Sequence, residues 1–313
     1  MADRATREAL GATLIELVDE GRDDIVVLDA DLAKATTTGK FKTAHPERFF
    51  DFGIAEQNMI ATAAGLAAGG KTPFASSFAV FATGRAYDQV RNSVCYPNLG
   101  VKIAATHAGV TVGPDGGSHQ MLEDIALMRV LPNMQVLVPS DFTAACAALR
   151  IAANKPGPFY IRLGRPAVPS LYEAGFEFAP GRAYVLREGS DVTLAACGMM
   201  VSRALVAAEL LAAEGISAEV IDVMSLKPLD GATLLASARK TGAVVTCEEH
   251  SVIGGLGSAV ATGLALEVPT PMELIGVREV FGTSGEADEL LAYFGLTGAD
   301  IAAAARRTIA RAS

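Results

Sequence analysis

Residues 51–91 read DFGIAEQNMIATAAGLAAGGKTPFASSFAVFATGRAYDQVR, and the architecture of the whole chain follows from how this segment folds. Ala55–Ala68 is a run of small and apolar residues stopped by Gly69-Gly70, which predicts a helix packed closely on a sheet and ended by glycine. TPFASSF (72–78) is short, apolar and closed by a Ser-Ser turn, a strand pattern, and helical spacing resumes over Phe81–Val94. Glu56 stands at the mouth of the first helix, with Phe78 and Phe81 following the strand. A carboxylate beside aromatic rings in an apolar setting has a raised pKa and can share a proton with a buried heterocycle. The plainer role is an acid placed at the positive end of a helix. The segment alone leaves both open.

The flanking sequence repeats the alternation. On the N-terminal side, Ala5–Asp19 is an amphipathic helix. DDIVVLDADL (23–32) is a strand apolar enough to be covered on both faces, and its end carries Asp29 and Asp31. The polar run 35–49 reads as a surface loop. On the C-terminal side, strands at 101–109, 134–140 and 158–166 alternate with helices at 121–131 and 141–154, the latter capped by Asp141. Prolines 166, 169 and 180 break the pattern. A second alternation follows, with strands at 191–198, 217–226, 242–250 and 272–277, and helices between them and after Asp300. The expectation is an α/β protein of two parallel-sheet domains with helices on both faces, residues 1–170 and 190–313, joined by a linker at 171–189.

Composition bounds the function. Of 313 residues, 50% are hydrophobic and 19% charged, which describes a folded globular chain. A net charge of −9 argues against nucleic acid as the main partner. The four cysteines lie about fifty residues apart without a CxxC pair, a pattern of reduced, buried thiols in a cytosolic protein. No apolar run reaches the ~18 residues of a membrane span, and the N-terminus lacks a signal-peptide pattern, so a soluble, cytoplasmic chain is expected.

The densest polar cluster is THAGVTVGPDGGSHQ (106–120), which places His107, Asp115 and His119 on one glycine-rich loop after a strand. Loops at the carboxyl ends of strands face the crevice of an α/β sheet, so this loop should face the same crevice as Asp31 and Glu56. Arg162 and Arg165 lie at the end of the strand at 158–166, and Arg7 lies near the start; arginines in such places suit phosphate or carboxylate recognition. Zinc spacings and the GxSxG elbow are absent. Glu248, Glu249 and His250 end another strand before the glycine run GGLGSAV (254–260), a set that also suits a metal or a phosphate.

Taken together, GIAEQNM (53–59), PFASSFAVFATGRAYDQVR (73–91), THAGVTVGPDGGSHQ, EDIALMRVLPNMQVLVPSD (123–141) and FYIRLGR (159–165) resemble the pyrimidine-binding domain of transketolases, and equally that of 1-deoxyxylulose-5-phosphate synthases. The likeness runs from Arg7 to Arg165, and the second half resembles the transketolase C-terminal domain. It implies thiamine diphosphate as cofactor. Glu56 then corresponds to the glutamate that hydrogen-bonds the aminopyrimidine ring and promotes deprotonation of the thiazolium carbon. Phe81 corresponds to the aromatic that stacks on that ring, with Phe78 one turn before it. By the same likeness His107 and Asp115 hold sugar hydroxyls and His119 contacts phosphate or assists proton transfer. Arg7 and Arg165 bind phosphate, and Asp31 lies near the donor.

Two positions depart from the family pattern: Gly84 where a tyrosine is usual, and Ala35 where a serine phosphate ligand is usual. A larger departure is the missing GDG motif and its asparagine, which hold Mg²⁺ and the diphosphate in this family; the chain itself has no expected metal site. The likeness therefore implies the C-terminal subunit of a split transketolase, completed by a separate diphosphate-binding subunit that holds Mg²⁺, as an α2β2 heterotetramer. Its implied reaction is transfer of a two-carbon ketol unit between sugar phosphates of the pentose phosphate type. Other readings of the same residues are a deoxyxylulose-phosphate-synthase-like subunit, a subunit for a branched or sulfonated sugar, a 2-oxoacid dehydrogenase β-type subunit, and a non-catalytic regulatory subunit.

Overall fold

A computed structural model describes residues 3–312. Its strands, in chain order, are β1 (Arg4–Ala5), β2 (Ile25–Asp29), β3 (Phe49–Asp51), β4 (Thr72–Ser76), β5 (Lys102–Ala105), β6 (Gln135–Leu137), β7 (Phe159–Arg162), β8 (Ala167–Val168), β9 (Tyr184–Arg187), β10 (Val192–Ala196), β11 (Ala218–Asp222), β12 (Ser225–Lys227), β13 (Val244–Ser251) and β14 (Met272–Val277). They form a seven-stranded sheet in the order β12-β6-β7-β5-β4-β2-β3, a five-stranded sheet in the order β14-β13-β10-β11-β9, and the short ladder β1-β8. Every residue of β2, β5, β7, β10 and β11 is buried. This is the pattern of parallel strands covered on both faces by crossover helices.

Both large sheets carry an antiparallel edge strand that the alternation did not predict. β9 lies inside the expected linker and pairs with β11. The 171–189 segment is therefore partly a sheet edge and not only a connection. β12 comes from the second half of the chain but pairs with β6 of the first sheet. The Lys227 ammonium reinforces that seam, donating to the Arg129 and Leu131 carbonyls. One apolar cluster spans both halves, with Leu28, Met59, Ile60 and Val136 on one side and Val223, Leu226 and Val260 on the other.

Local differences have plain causes. The polar run 35–49 is not a loop: it holds helices Ala33–Thr36 and Thr38–Ala44, a 3-10 turn at Pro46–Arg48 and β3. Buried Asp29 organises it, its carboxylate accepting from Thr36 and Thr38 Oγ1 (both 2.8 Å) and from the Leu32 N–H (2.7 Å). The first helix begins at Glu8, after β1, and not at Ala5. Phe81–Val94 is helical but widens into π-turns at Val80–Arg85 and Val90–Cys95. Such bulges shift side chains off the α-helical register and recur at functional sites. The cysteines are free thiols, three buried and Cys146 half-buried. Among the described residues no helix is long and apolar enough to cross a membrane.

Candidate active site

From β2 the chain first goes outward to β3 and then returns to the other side of β2 as β4. An open parallel sheet forms a crevice at such a reversal, outside the carboxyl ends of the strands. Asp31 follows β2, Glu56 opens the helix Glu56–Ala68 after β3, Phe78 follows β4, His107 follows β5 and Arg165 follows β7. Five predicted residues thus lie at one rim of one sheet, because each ends or follows a parallel strand.

Glu56 is 1% exposed and sits in the first turn of its helix without capping its own backbone. One carboxylate oxygen is 2.7 Å from Nη1 of Arg85 and the other 3.5 Å from the buried Ser77 hydroxyl. Arg85 is itself 44% exposed and lies over the Phe81 ring, 4.4 Å from its centroid. The rings of Phe78 and Phe81 are nearly parallel, 10° apart with centroids at 6.1 Å. His107 stacks on Phe78 at 3.9 Å, and His119 meets Phe81 edge-on at 5.5 Å. Arg85 therefore joins Glu56 to a continuous cluster of both phenylalanines and both histidines.

The phosphate-type arginines lie on the other side of His107. Arg7 donates to the Ala35 carbonyl at 2.9 Å and to His107 Nε2 at 3.2 Å, and its buried Nε–H has no partner among the described residues. An arginine only donates, so Nε2 is the acceptor and the neutral ring carries its proton on Nδ1, 2.8 Å from Thr106 Oγ1. Burial, with the charges of Arg7 and Arg165, pushes the His107 pKa down to about 3, leaving a neutral imidazole. Burial and the neighbouring Arg165 likewise lower Arg7. Arg165 donates to the Val112 carbonyl and lies 3.7 Å from exposed Asp115. His107 and Asp31 hold left-handed backbone, φ 58° and 61°. Such strain in residues other than glycine gathers at functional sites. Among the described residues no hydrogen bond or ion pair joins the Asp31 side chain to this cluster; its residue is tied in by the backbone N–H, which donates to Asp51 at 3.1 Å.

Three sequence candidates lie elsewhere. Arg162 is buried, pairs with Asp124 at 2.7 Å and donates to the Glu249 carbonyl at 2.9 Å, so it faces the interior and not the crevice. Glu248 accepts the Leu256 and Gly257 N–H groups at 2.7 and 2.8 Å, closing the very helix N-terminus that the glycine run opens. His250 lies buried between Asp124 and the Ser251 carbonyl. Among the described residues no group of three or more His, Cys, Asp or Glu is placed to hold a metal.

Arg85 and Ser77 are the site residues that the sequence reading missed. Arg85 lies four residues after Phe81, the spacing that stacks side chains on one helix face, and that cation–aromatic pair was the available signal. Gly84 is exposed, and a Cβ there would meet nothing within 4 Å, so this wall of the site is open.

The residues fit half of a thiamine diphosphate site: a desolvated carboxylate, an aromatic surface beside it, and an arginine pair with an unpartnered donor.

Comparison with known proteins gives the family. Residues 2–170 match the transketolase pyrimidine-binding domain and residues 181–301 the transketolase C-terminal domain. A putative transketolase C-terminal section of Methanocaldococcus jannaschii is 49% identical over 96% of this chain and 94% of its own. A 6-deoxy-6-sulfo-D-fructose transketolase subunit of Clostridium sp. (strain MSTE9) is 47% identical over 92% and 90%. A solved split-gene transketolase, described as an inactive β4 tetramer, superposes with a TM-score of 0.91 at 55% identity over 99% of both chains. The chain belongs to the transketolase family, which normally uses thiamine diphosphate, and within it to the C-terminal subunits of the split enzymes.

Proposed function

We propose that this chain supplies the pyrimidine half of a thiamine diphosphate site. A separate subunit supplies the diphosphate half with Mg²⁺, in an α2β2 assembly that transfers a two-carbon ketol unit from a ketose phosphate to an aldose phosphate. When bound, the cofactor supplies the nucleophilic carbon and accommodates the charge left when the donor C–C bond breaks. The chain's own residues do the rest. Glu56, held dry at the crevice rim, takes or returns a proton at a ring nitrogen, and Arg85 releases one carboxylate oxygen for that contact. Phe81 and Phe78 pack the ring and exclude water. Neutral His107 presents Nε2 as an acceptor for a sugar hydroxyl once Arg7 turns to the substrate's anionic end, and it adds no charge. Arg7, Arg165 and Asp115 orient the sugar and its anionic end, and His119 reaches the reacting carbons or the phosphate.

The observation that carries this reading is the continuous cluster from Glu56 through Arg85, Phe81, Phe78 and His107 to Arg7. The test is reconstitution: purified chain, its partner subunit, Mg²⁺ and thiamine diphosphate, assayed with a xylulose phosphate donor. Ketol transfer in the mixture and in neither component alone supports the reading; activity of this chain by itself overturns it.

One observation favours a second reading of the substrate. With Ala35 in place of a serine ligand, Arg7 is tied to a backbone carbonyl at 2.9 Å and the anion pocket has one hydroxyl fewer. A sulfonate, with one charge against the two of a phosphate, suits that pocket. A higher kcat/KM for 6-deoxy-6-sulfo-fructose than for xylulose 5-phosphate supports this reading, and the reverse order removes it.

A further inference from the structure

The histidine loop is held by the second half of the chain. Glu249, 4% exposed at the end of β13, accepts the Thr111 backbone N–H on Oε1 at 2.6 Å across 138 residues of sequence. Its carboxyl group fills the space beside Gly109, where a Cβ would overlap it. Gly109 and Thr111 lie two and four residues beyond His107, whose left-handed backbone (φ 58°) is costly for any residue but glycine. Such a conformation persists only where the surroundings over-determine it. Upstream the constraint is the sheet itself, through the Thr106 N–H to the Ser77 carbonyl at 3.0 Å. Downstream the Gly109 N–H reaches the Met121 carbonyl at 2.9 Å, and Glu249 supplies the contact beyond it.

Glu249 is in turn fixed. Its carbonyl accepts from Arg162 at 2.9 Å, and Arg162 is paired with Asp124. The far end of the loop is gripped in the same way: Gln120 Nε2 donates to the Thr283 carbonyl at 2.8 Å, and Gly116 and Gly117 leave room for Ser284 and Gly282.

We propose that Glu249 is a positioning residue for His107: the second half of the chain acts on the reaction by holding the histidine loop in its strained, substrate-facing form. This rests on His107 facing substrate, as in the function proposed above. The Thr111 N–H, donating to the Glu249 carboxyl oxygen, takes the place of water that would compete for the loop. Glu249→Asp keeps the charge but falls one methylene short of Thr111, whereas Glu249→Gln keeps both reach and an acceptor oxygen.

Two measurements decide it. In the reconstituted enzyme, Glu249→Asp and Glu249→Ala should lower kcat/KM for the donor by roughly 10–100-fold, the scale of a misplacement near 1 Å. Most of the loss should appear in KM, and Glu249→Gln should recover most of it. In the full chain alone, hydrogen exchange of amides 108–120 should accelerate at least tenfold in the Asp variant while those of β2 and β4 keep their protection. Unchanged loop exchange, or acceleration of all amides together, makes Glu249 a purely structural contact and overturns the proposal. If Glu249→Ala does not fold, the Asp variant decides. If the wild-type mixture transfers no ketol unit, the proposed function fails, while the exchange measurement still passes judgement on the loop.

Discussion

The carboxyl ends of β5 and β13 look alike in sequence and do opposite things. Each parallel strand carries polar residues at its carboxyl end, Thr106-His107 directly after β5 and Glu248-Glu249-His250 in the last residues of β13. Beyond β5 the cluster meets aromatic rings and arginines, with exposed Arg85 and half-exposed His119 at its edge. Beyond β13 another layer closes over the cluster: Glu248 caps a helix, Glu249 binds the histidine loop, and His250 lies against Asp124. The rule that sites form at strand ends therefore needs a second condition, that no neighbouring element satisfies the groups first. Burial alone does not separate the two ends. His107 and His250 are both buried and both titrate low, near 3 and near 4. What separates them is company: at His107 the charges of Arg7 and Arg165 both add to the lowering, whereas at His250 Asp124 pulls upward against the lowering by burial and Arg162.

The sharpest break between the two ends is expected from Glu56→Gln. In the reconstituted enzyme it should lower kcat by about 10²–10⁴-fold, the usual contribution of a positioned acid or base, with assembly and melting temperature unchanged. An unaffected rate would favour the non-catalytic subunit.

Next in size is Arg162→Met at the closed end, which leaves Asp124 buried and unpaired. Breaking such a pair costs about 3–5 kcal/mol, read as a lower urea midpoint, and any rise in KM, passed on through the Glu249 carbonyl that Arg162 holds, should accompany that loss. A KM effect without loss of stability would place Arg162 in the site after all.

The smallest effect is spectroscopic. Above pH 6.5 a histidine is neutral in both folded and unfolded chains. Between 6.5 and the depressed folded value only the unfolded chain takes the proton, so His107 and His250 both contribute stability that is lost as pH falls through that window. Ring resonances of both should stay constant from pH 8 to pH 5. Arg7→Ala should then raise the titration point of His107 and leave that of His250 in place. If both moved, the arginine charge would not be what sets the two ends apart.

Much of the site was legible in advance because the signals are local. Alternating apolar runs announce parallel strands, strand ends announce a crevice, and the residues following β2, β3, β4, β5 and β7 were candidates for that reason. Arg162 was misplaced by the same logic. Adjacent residues at a strand end point to opposite sides, and Arg162 and Arg165 differ in burial through partners that lie far away in sequence. Arg85 was overlooked because its partner Glu56 lies 29 residues earlier, across a strand.

The sequence by itself determined the α/β class, the two-part organisation, the residue types at the rim and the family, since periodicity, glycine stops and ordered motifs all act over a few residues. Only the tertiary structure decided which strand end stays open and which is closed. It alone showed that β12 crosses to the first sheet, and that Glu249 reaches Thr111 across 138 residues. The reason is physical. Whether a buried charge is a site or a staple depends on which groups desolvate and pair with it, and those groups come from distant parts of the chain that meet only when it folds.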